Sequence, residues 1–274
     1  MNFESNPASD YPLPDLVDIL NRGFEGYFIP VAFNVNAFLN MVRKDGIDLT
    51  ISRILLRDGL PSGIALIARR GWTSRLAAMG IAKEARGIGA GSWFMEQIID
   101  EAINRNEHEM VLEVIEQNES AFQLYKKCGF EIIRRLIGFI RRDAMEHHEP
   151  GLEEVDIRHV GNLISRHGLT DLPWQLSGES MALTTPPACA YRKGQSYAVI
   201  SNPDAKDVAI WTLLVEPEAR GLGLGTDLVR SVIAQHPNKT WHVPALLPEE
   251  LGRVFERASF TREELSQWQM RLVL

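Results

Sequence analysis

The sequence predicts an α/β fold built twice, each copy a mixed, twisted sheet with flanking helices. Three observations predict it. The chain has 274 residues, a length that suits two domains of about 100–200 residues each. The segment GIAKEARGIGAG at Gly80–Gly91 returns as LVEPEARGLGLG at Leu214–Gly225, with Glu, Ala, Arg and three Gly in register and the two arginines 134 residues apart. Such a spacing, close to half the chain, marks a duplication. Around the first copy the order of elements is helices, a β-meander, then β-α-β-α-β, which is an α/β pattern.

The elements of the first half follow from periodicity. Pro14–Gly23 places Leu16, Val17, Ile19 and Leu20 at helical spacing, and Ala37–Lys44 reads as a second helix. Leu49–Leu56 and Gly63–Arg69 read as strands joined through Arg57-Asp58-Gly59, and Ser74–Ile81 as a third. After the glycines, Ser92–Asn104 carries one apolar stripe from Phe94 to Ile103. Met110–Glu116 reads as strand, and Ser120–Cys128 as a short helix closed by Gly129 in a left-handed cap. Glu131–Arg141 is the next strand. The polar, aperiodic stretch from Asp143 to Glu153, with Pro150-Gly151, suits a linker, so the expected domains are residues 1–143 and 152–274. In the second half, Leu228, Val229, Val232 and Ile233 form a helical stripe and Thr240–Val243 a strand. Helix signal ahead of the second turn is short, around Asn162–Arg166 and Gln175–Ala182. Trp268, Met270, Leu272 and Leu274 alternate as a strand that closes a sheet.

Composition narrows the function. A net charge of −7 repels phosphate backbones, so nucleic acid is not an expected partner. No run of about 18 apolar residues suggests a membrane span, no signal peptide is visible, and the cytoplasm is the expected location. Cys128 and Cys189 show no CxxC spacing, so no cysteine-rich metal site is expected. His147 and His148 lie in the linker with no third ligand suggested nearby, and no metal is expected.

A strand leading through glycines into a helix N-terminus presents free backbone N–H groups and a favourable dipole to an anion. Glycine lets the backbone approach a diphosphate and take positive φ, and Arg86 and Arg220 sit at the lip where they can add charge. A P-loop requires Gly-Lys-Ser/Thr, which neither turn has. A dinucleotide fingerprint starting at Gly87 or Gly221 puts Ser92 or Thr226 where a third Gly or Ala belongs. A coenzyme A reading, R-x-x-G-x-G/A, fits both turns: Arg86, Gly89, Gly91 and Arg220, Gly223, Gly225.

The segment Gly80–Phe130 resembles the core of the GNAT (general N-acetyltransferase) superfamily. The turn matches that family's pyrophosphate motif, and Leu112–Phe130 matches its N-x-x-A-x-x-L-Y-x-x-x-G-F signature through Asn118, Ala121, Leu124, Tyr125, Gly129 and Phe130. The resemblance implies acetyl transfer from acetyl-CoA to an amine of a small molecule or peptide, and leaves a homodimer open. It implies that the strands at Ser74–Ile81 and Met110–Glu116 splay around the pantetheine arm. Met79, Gly80, Ile81, Arg86, Gly87, Ile88, Gly89, Ala90, Gly91, Ser92, Asn118, Phe122 and Tyr125 would then line the coenzyme. Tyr125 would serve as general acid toward the departing thiolate. A phenol with a pKa near ~10 stays protonated at neutral pH and can donate. Glu113, the one charge in the apolar run MVLEV, is the candidate base, set against a carboxylate on a solvated face or paired with an arginine. Glu25, Tyr27 and Phe28 lie where the family builds its acceptor pocket.

The second half departs from the pattern. Aligning Phe260 with Phe130 sets Phe255 at the position of Tyr125, Pro248 at Asn118 and Ser259 at Gly129. This half reads as a degenerate module, a packing or substrate-shaping partner, in which Arg220, Gly221, Leu222, Gly223, Leu224, Gly225 and Thr226 are candidates for a second coenzyme site that lacks the acid. Two alternatives to an acyltransferase stay open: a non-catalytic acyl-CoA sensor or interaction module, and a dinucleotide oxidoreductase.

Overall fold

The computed structural model describes residues 2–30, 32–142 and 151–274. His147, His148 and most of the expected linker lie outside them. The first half runs β1 (Phe3–Pro7), α1 (Leu13–Gly23), α2 (Val35–Asp45), β2 (Arg53–Arg57), β3 (Leu60–Arg70), β4 (Thr73–Ile81), α3 (Ala90–Asn104), β5 (Glu109–Ile115), α4 (Glu119–Lys127) and β6 (Glu131–Arg141). The second runs β7 (Glu153–Val155), α5 (Ile157–His167), α6 (Gly178–Ala182), β8 (Cys189–Lys193), β9 (Ser196–Ile200), β10 (Asp207–Val215), α7 (Leu224–Gln235), β11 (Thr240–Pro248), α8 (Arg253–Arg257) and β12 (Thr261–Val273).

The chain divides into two compact units, and the division is not sequential. Unit 1 is Met1–Ile133 together with Trp268–Leu274; unit 2 is Arg134–Gln267. The expected boundary at the 143–152 linker therefore differs from the packing. The outer part of β6 packs in unit 2, where Ile137 and Phe139 join its core, and β6 pairs antiparallel with β11. The chain's last residues pack in unit 1, where Met270 is fully buried beside Leu112 and Phe130 and the Leu274 N–H bonds the His108 carbonyl at 2.9 Å. Each unit takes its closing strand from the other half of the sequence. Alternation reveals that Trp268–Leu274 is a strand; it carries no information about which sheet receives it.

In unit 1 the strands run β1-β2-β3-β4-β5, with β1 to β4 antiparallel and β4 parallel to β5. β1 had no alternation to announce it; it is an edge strand that, among the described residues, pairs with β2. α3 and α4 cover one face, burying Phe94, Met95, Ile98 and Tyr125 against Leu76, Met110, Leu112 and Val114. Unit 2 repeats the plan, its strands running β6-β11-β10-β9-β8-β7, with β10 parallel to β11. Leu228, Val229 and Val232 of α7 bury against Trp241 and Val243. α5 is a full helix of 11 residues, where the sequence signal covered only its second half. Asp156 caps it, accepting a bond from the Arg158 N–H at 2.8 Å, as a short polar side chain does at an N-cap.

Candidate functional site

The first glycine turn has the conformation the sequence demands. Gly87 and Gly89 take φ of 75° and 88°, values that residues with a Cβ rarely adopt, and a Cβ on either would meet nothing within 4 Å. α3 starts directly after Gly89 with no side-chain cap, so the N–H groups of its first turn are open to a ligand. β4 and β5 pair from Thr73↔Glu109 to Arg75↔Val111. Past these pairs β4 runs on to Ile81 and β5 to Ile115, and the turn lies beyond the end of β4. Gly221 and Gly223 repeat the first turn with φ of 80° and 82°.

Asn118 caps α4, its Oδ1 accepting from the Ala121 N–H at 3.3 Å and the Ser120 hydroxyl at 3.1 Å. Two turns on, Tyr125 is 8% exposed. Burial drives its phenol well above the ordinary range, and neighbouring Tyr27 and Cys128 push it further. Tyr27 arrives from the segment after α1. Burial raises its phenol too, while a hydrogen bond with the Asn118 side chain opposes that rise. Tyr27, Asn118 and Tyr125 thus converge, although they are remote in sequence. Tyr27 packs edge-on against Phe24 and Phe28, with ring centroids 5.0 and 5.5 Å away. Phe28 is half-exposed. Glu25 is exposed and bonds Lys83 at 2.7 Å, which lowers its carboxyl below the usual range. Phe122 packs against the unit 1 core as a partly buried residue.

Glu113 has the partner that the sequence reading held as its alternative. Both Nε and Nη2 of Arg75 meet its Oε2, at 2.9 and 2.8 Å, and both side chains are 4% exposed. Asp45, at the end of α2, meets Arg75 Nη1 at 3.3 Å. Glu113 Oε1 is buried and makes no protein hydrogen bond among the described residues. A sequence signal for this pair existed: Arg75 is the one charge in the β4 run SRLAAMGI, as Glu113 is in the β5 run MVLEV, and register sets Arg75 beside Val111. Removing one member of a buried pair strands the other. Arg75→Met is therefore expected to destabilise the protein by about 3–5 kcal/mol in denaturant unfolding.

Arg86 does not stand free at the lip. Its Nε bonds the Ile81 carbonyl at 2.8 Å, and its Nη2 bonds the carbonyls of Gly23 at 2.9 Å and Glu25 at 3.3 Å. Arg220 likewise bonds the carbonyls of Val215 and His167. Through Nε and Nη2 these arginines brace the backbone at the ends of α1 and α5.

Unit 2 contains a cavity of about 460 Å³. β10 pairs with β11 only from Asp207↔Thr240 to Ala209↔His242 among the described residues, and the cavity opens past that point. Leu213, Leu247, Val254 and Phe255 line it, and Gly223 and Gly225 close it at the turn. The aligned positions agree in geometry. The Phe260 N–H bonds the Phe255 carbonyl at 3.0 Å, as Phe130 bonds Tyr125. Ser259 takes φ of 62° where Gly129 takes 92°.

Unit 1 thus joins a parallel strand pair that parts at a glycine turn to a capped helix carrying a buried tyrosine. Residues 13–130 match the family model described as the acetyltransferase (GNAT) family. Over that stretch, less than half of the chain, the protein is similar to the acetyltransferases of that family. Solved structures share the whole fold at low identity. A GCN5-related N-acetyltransferase from Sphaerobacter thermophilus aligns with a TM-score of 0.67 and 15% identity, over 99% of this chain and 95% of that one. A putative acetyltransferase from Pyrococcus horikoshii gives 0.66 and 12%, over 100% and 89%. A tandem GNAT protein from the clavulanic acid biosynthesis pathway gives 0.64 and 13%, over 99% and 98%. A search of curated protein sequences finds no match. No helix among the described residues is long and apolar enough to cross a membrane.

Proposed function

We propose that unit 1 transfers an acetyl group from acetyl-CoA to an amine by direct attack, with Tyr125 as the acid. The observation that carries this reading is the convergence of Tyr125, Asn118 and Tyr27 beside parted β4 and β5. The site fits the coenzyme. Open glycines at Gly87 and Gly89 leave room for a diphosphate, and the β4 edge at Met79–Ile81 offers backbone groups to the pantetheine amides. When bound, the coenzyme supplies an activated thioester carbonyl. First-turn N–H groups from Ala90 to Ser92 hold the diphosphate. Tyr125, kept protonated by burial, donates its proton to the departing sulfur. Glu113 receives the proton of the ammonium through Oε1 while Arg75 holds Oε2. Glu25, Tyr27 and Phe28 border the acceptor.

Release of free thiol from acetyl-CoA over a panel of amino acids, polyamines, amino sugars and peptide N-termini tests the reading. Amine-dependent release supports it; no release with any class sinks it. Glu113→Gln is expected to lower kcat/KM about tenfold. An unaltered kcat/KM would assign the proton to solvent instead.

A second reading concerns unit 2, and its cavity favours it. The wedge at the Arg220–Gly225 turn has the form of a coenzyme site, and Phe255 provides no proton. Unit 2 then holds acyl-CoA without transferring the acyl group. Calorimetric titration with acetyl-CoA is expected to give a stoichiometry of two, falling to one in Gly223→Val. That substitution places a branched residue at φ 82°, a region such residues avoid.

A further inference from the structure

The guanidinium of Arg86 is spent on carbonyls, and the duplication shows that this is no accident of one loop. In both units the arginine of the turn bonds the carbonyl five residues before it, at the end of its own strand: Ile81 for Arg86 and Val215 for Arg220. In both, Nη2 reaches the carbonyl of the last residue of the first helix of that unit's repeat, Gly23 of α1 and His167 of α5. Helix C-termini leave carbonyls without intrahelical partners and carry the negative end of the dipole, so a cation with several planar donors suits them. Arginine meets that geometry and lysine does not.

Unit 1 adds a further bond. Arg86 Nη2 also takes the Glu25 carbonyl, two residues before Tyr27. The same end of α1 is seated on β4 at backbone distance: a Cβ on Gly23 would lie 2.8 Å from the Gly80 carbonyl carbon. Gly23 to Tyr27 is thereby fixed at one end by the coenzyme turn, and Tyr27 is tied back to Phe24 by its N–H on the Phe24 carbonyl at 3.0 Å and by an edge-on ring contact at 5.0 Å.

We propose that Arg86 is a positioning residue for the acyl acceptor: by clamping Gly23 and Glu25 it fixes the segment that carries Tyr27, and Tyr27 forms a wall of the acceptor site. This rests on the reading that unit 1 transfers acyl groups. The diphosphate is then left to the backbone N–H groups of the turn.

The test uses the full chain with Arg86→Leu. Three quantities are measured: the Kd of coenzyme A at two salt concentrations, the KM of the fastest amine of the panel, and amide exchange over residues 25–28. Acceptor KM is expected to rise at least tenfold, with coenzyme A Kd within about threefold and its salt dependence unchanged. Exchange over 25–28 is expected to quicken about tenfold. Arg220→Leu, which cuts the equivalent brace in unit 2, should leave acceptor KM and that exchange unchanged. Should Arg86→Leu fail to fold, Arg86→Lys keeps the charge and loses the fork, with the same outcome expected. A tenfold rise in coenzyme A Kd with acceptor KM unmoved would overturn the proposal and return Arg86 to the diphosphate. Unchanged exchange over 25–28 would overturn it as well. If no amine turns over, the transfer reading fails, while Kd and exchange still decide the role of Arg86.

Discussion

Tyr125→Phe is expected to lower kcat on a turned-over amine by at least about tenfold, toward the 10²-fold typical of a lost general acid, with coenzyme A Kd unchanged. The chain itself supplies the packing control. Phe255 occupies the corresponding place in unit 2, fully buried, with its ring 5.5 Å from Phe260; Tyr125 lies 5.8 Å from Phe130. A phenyl ring is therefore accommodated at this point of the fold, and the substitution removes the hydroxyl alone. The direction of the Tyr125 shift adds a second observable. Since burial raises the phenol above its ordinary value, the wild-type site keeps its donor throughout the neutral and mildly alkaline range. The pH–rate profile should show no alkaline limb belonging to Tyr125. Stopped initial rates across pH 6–10 check both points. A variant with wild-type kcat would remove Tyr125 from the chemistry and leave the turn as a binding feature only.

The turns, the helices behind them and the Tyr125 signature were legible because each is local. A glycine turn needs positive φ at fixed offsets, and a capped helix needs Asn118 three residues before Ala121. The second copy was legible as degenerate for the same reason: Phe255 and Pro248 stand where a hydroxyl and an amide belong. Three features were hidden because they join distant segments. Arg86 has the motif's position and charge, yet its partners at Gly23 and Glu25 depend on where α1 ends. Glu113 read as a lone charge in an apolar run, and only the parallel register brings Arg75 of β4 to it. Tyr27 was placed near the acceptor by resemblance, but its packing against Phe24 and Phe28 depends on how the chain turns after α1. The cavity in unit 2 was hidden differently. Its apolar lining reads as core until the strands are seen to part.

Removal of Trp268–Leu274 is expected to abolish stable folding of unit 1, although the expected domain boundary puts those residues in the other half. They supply Met270, 0% exposed, to the unit 1 core, and Trp268, Leu272 and Leu274 pack on its margin. Leu272 lies 3.2 Å from where a Cβ on Gly129 would sit, so the strand also covers the turn that ends α4, the helix of Tyr125. Deleting one buried large side chain from a core costs about 2–5 kcal/mol, against a total stability of about 5–15 kcal/mol for a domain. Losing four apolar contacts and a strand together exceeds what unit 1 can absorb. A chain ending at Gln267 should therefore lose the coenzyme A site and cooperative unfolding of unit 1 while keeping unit 2, and an isolated fragment of residues 1–143 should lose coenzyme A binding altogether. The milder Met270→Ala should keep both with a lowered Tm. Circular dichroism melts of the three proteins separate these outcomes. A folded, coenzyme-binding fragment 1–143 would show that the closing strand is dispensable and that the linear boundary describes the folding unit after all. If it fails as expected, adding a peptide of the β12 sequence in trans should restore part of the signal, because the missing element is a strand edge and four side chains rather than a whole domain.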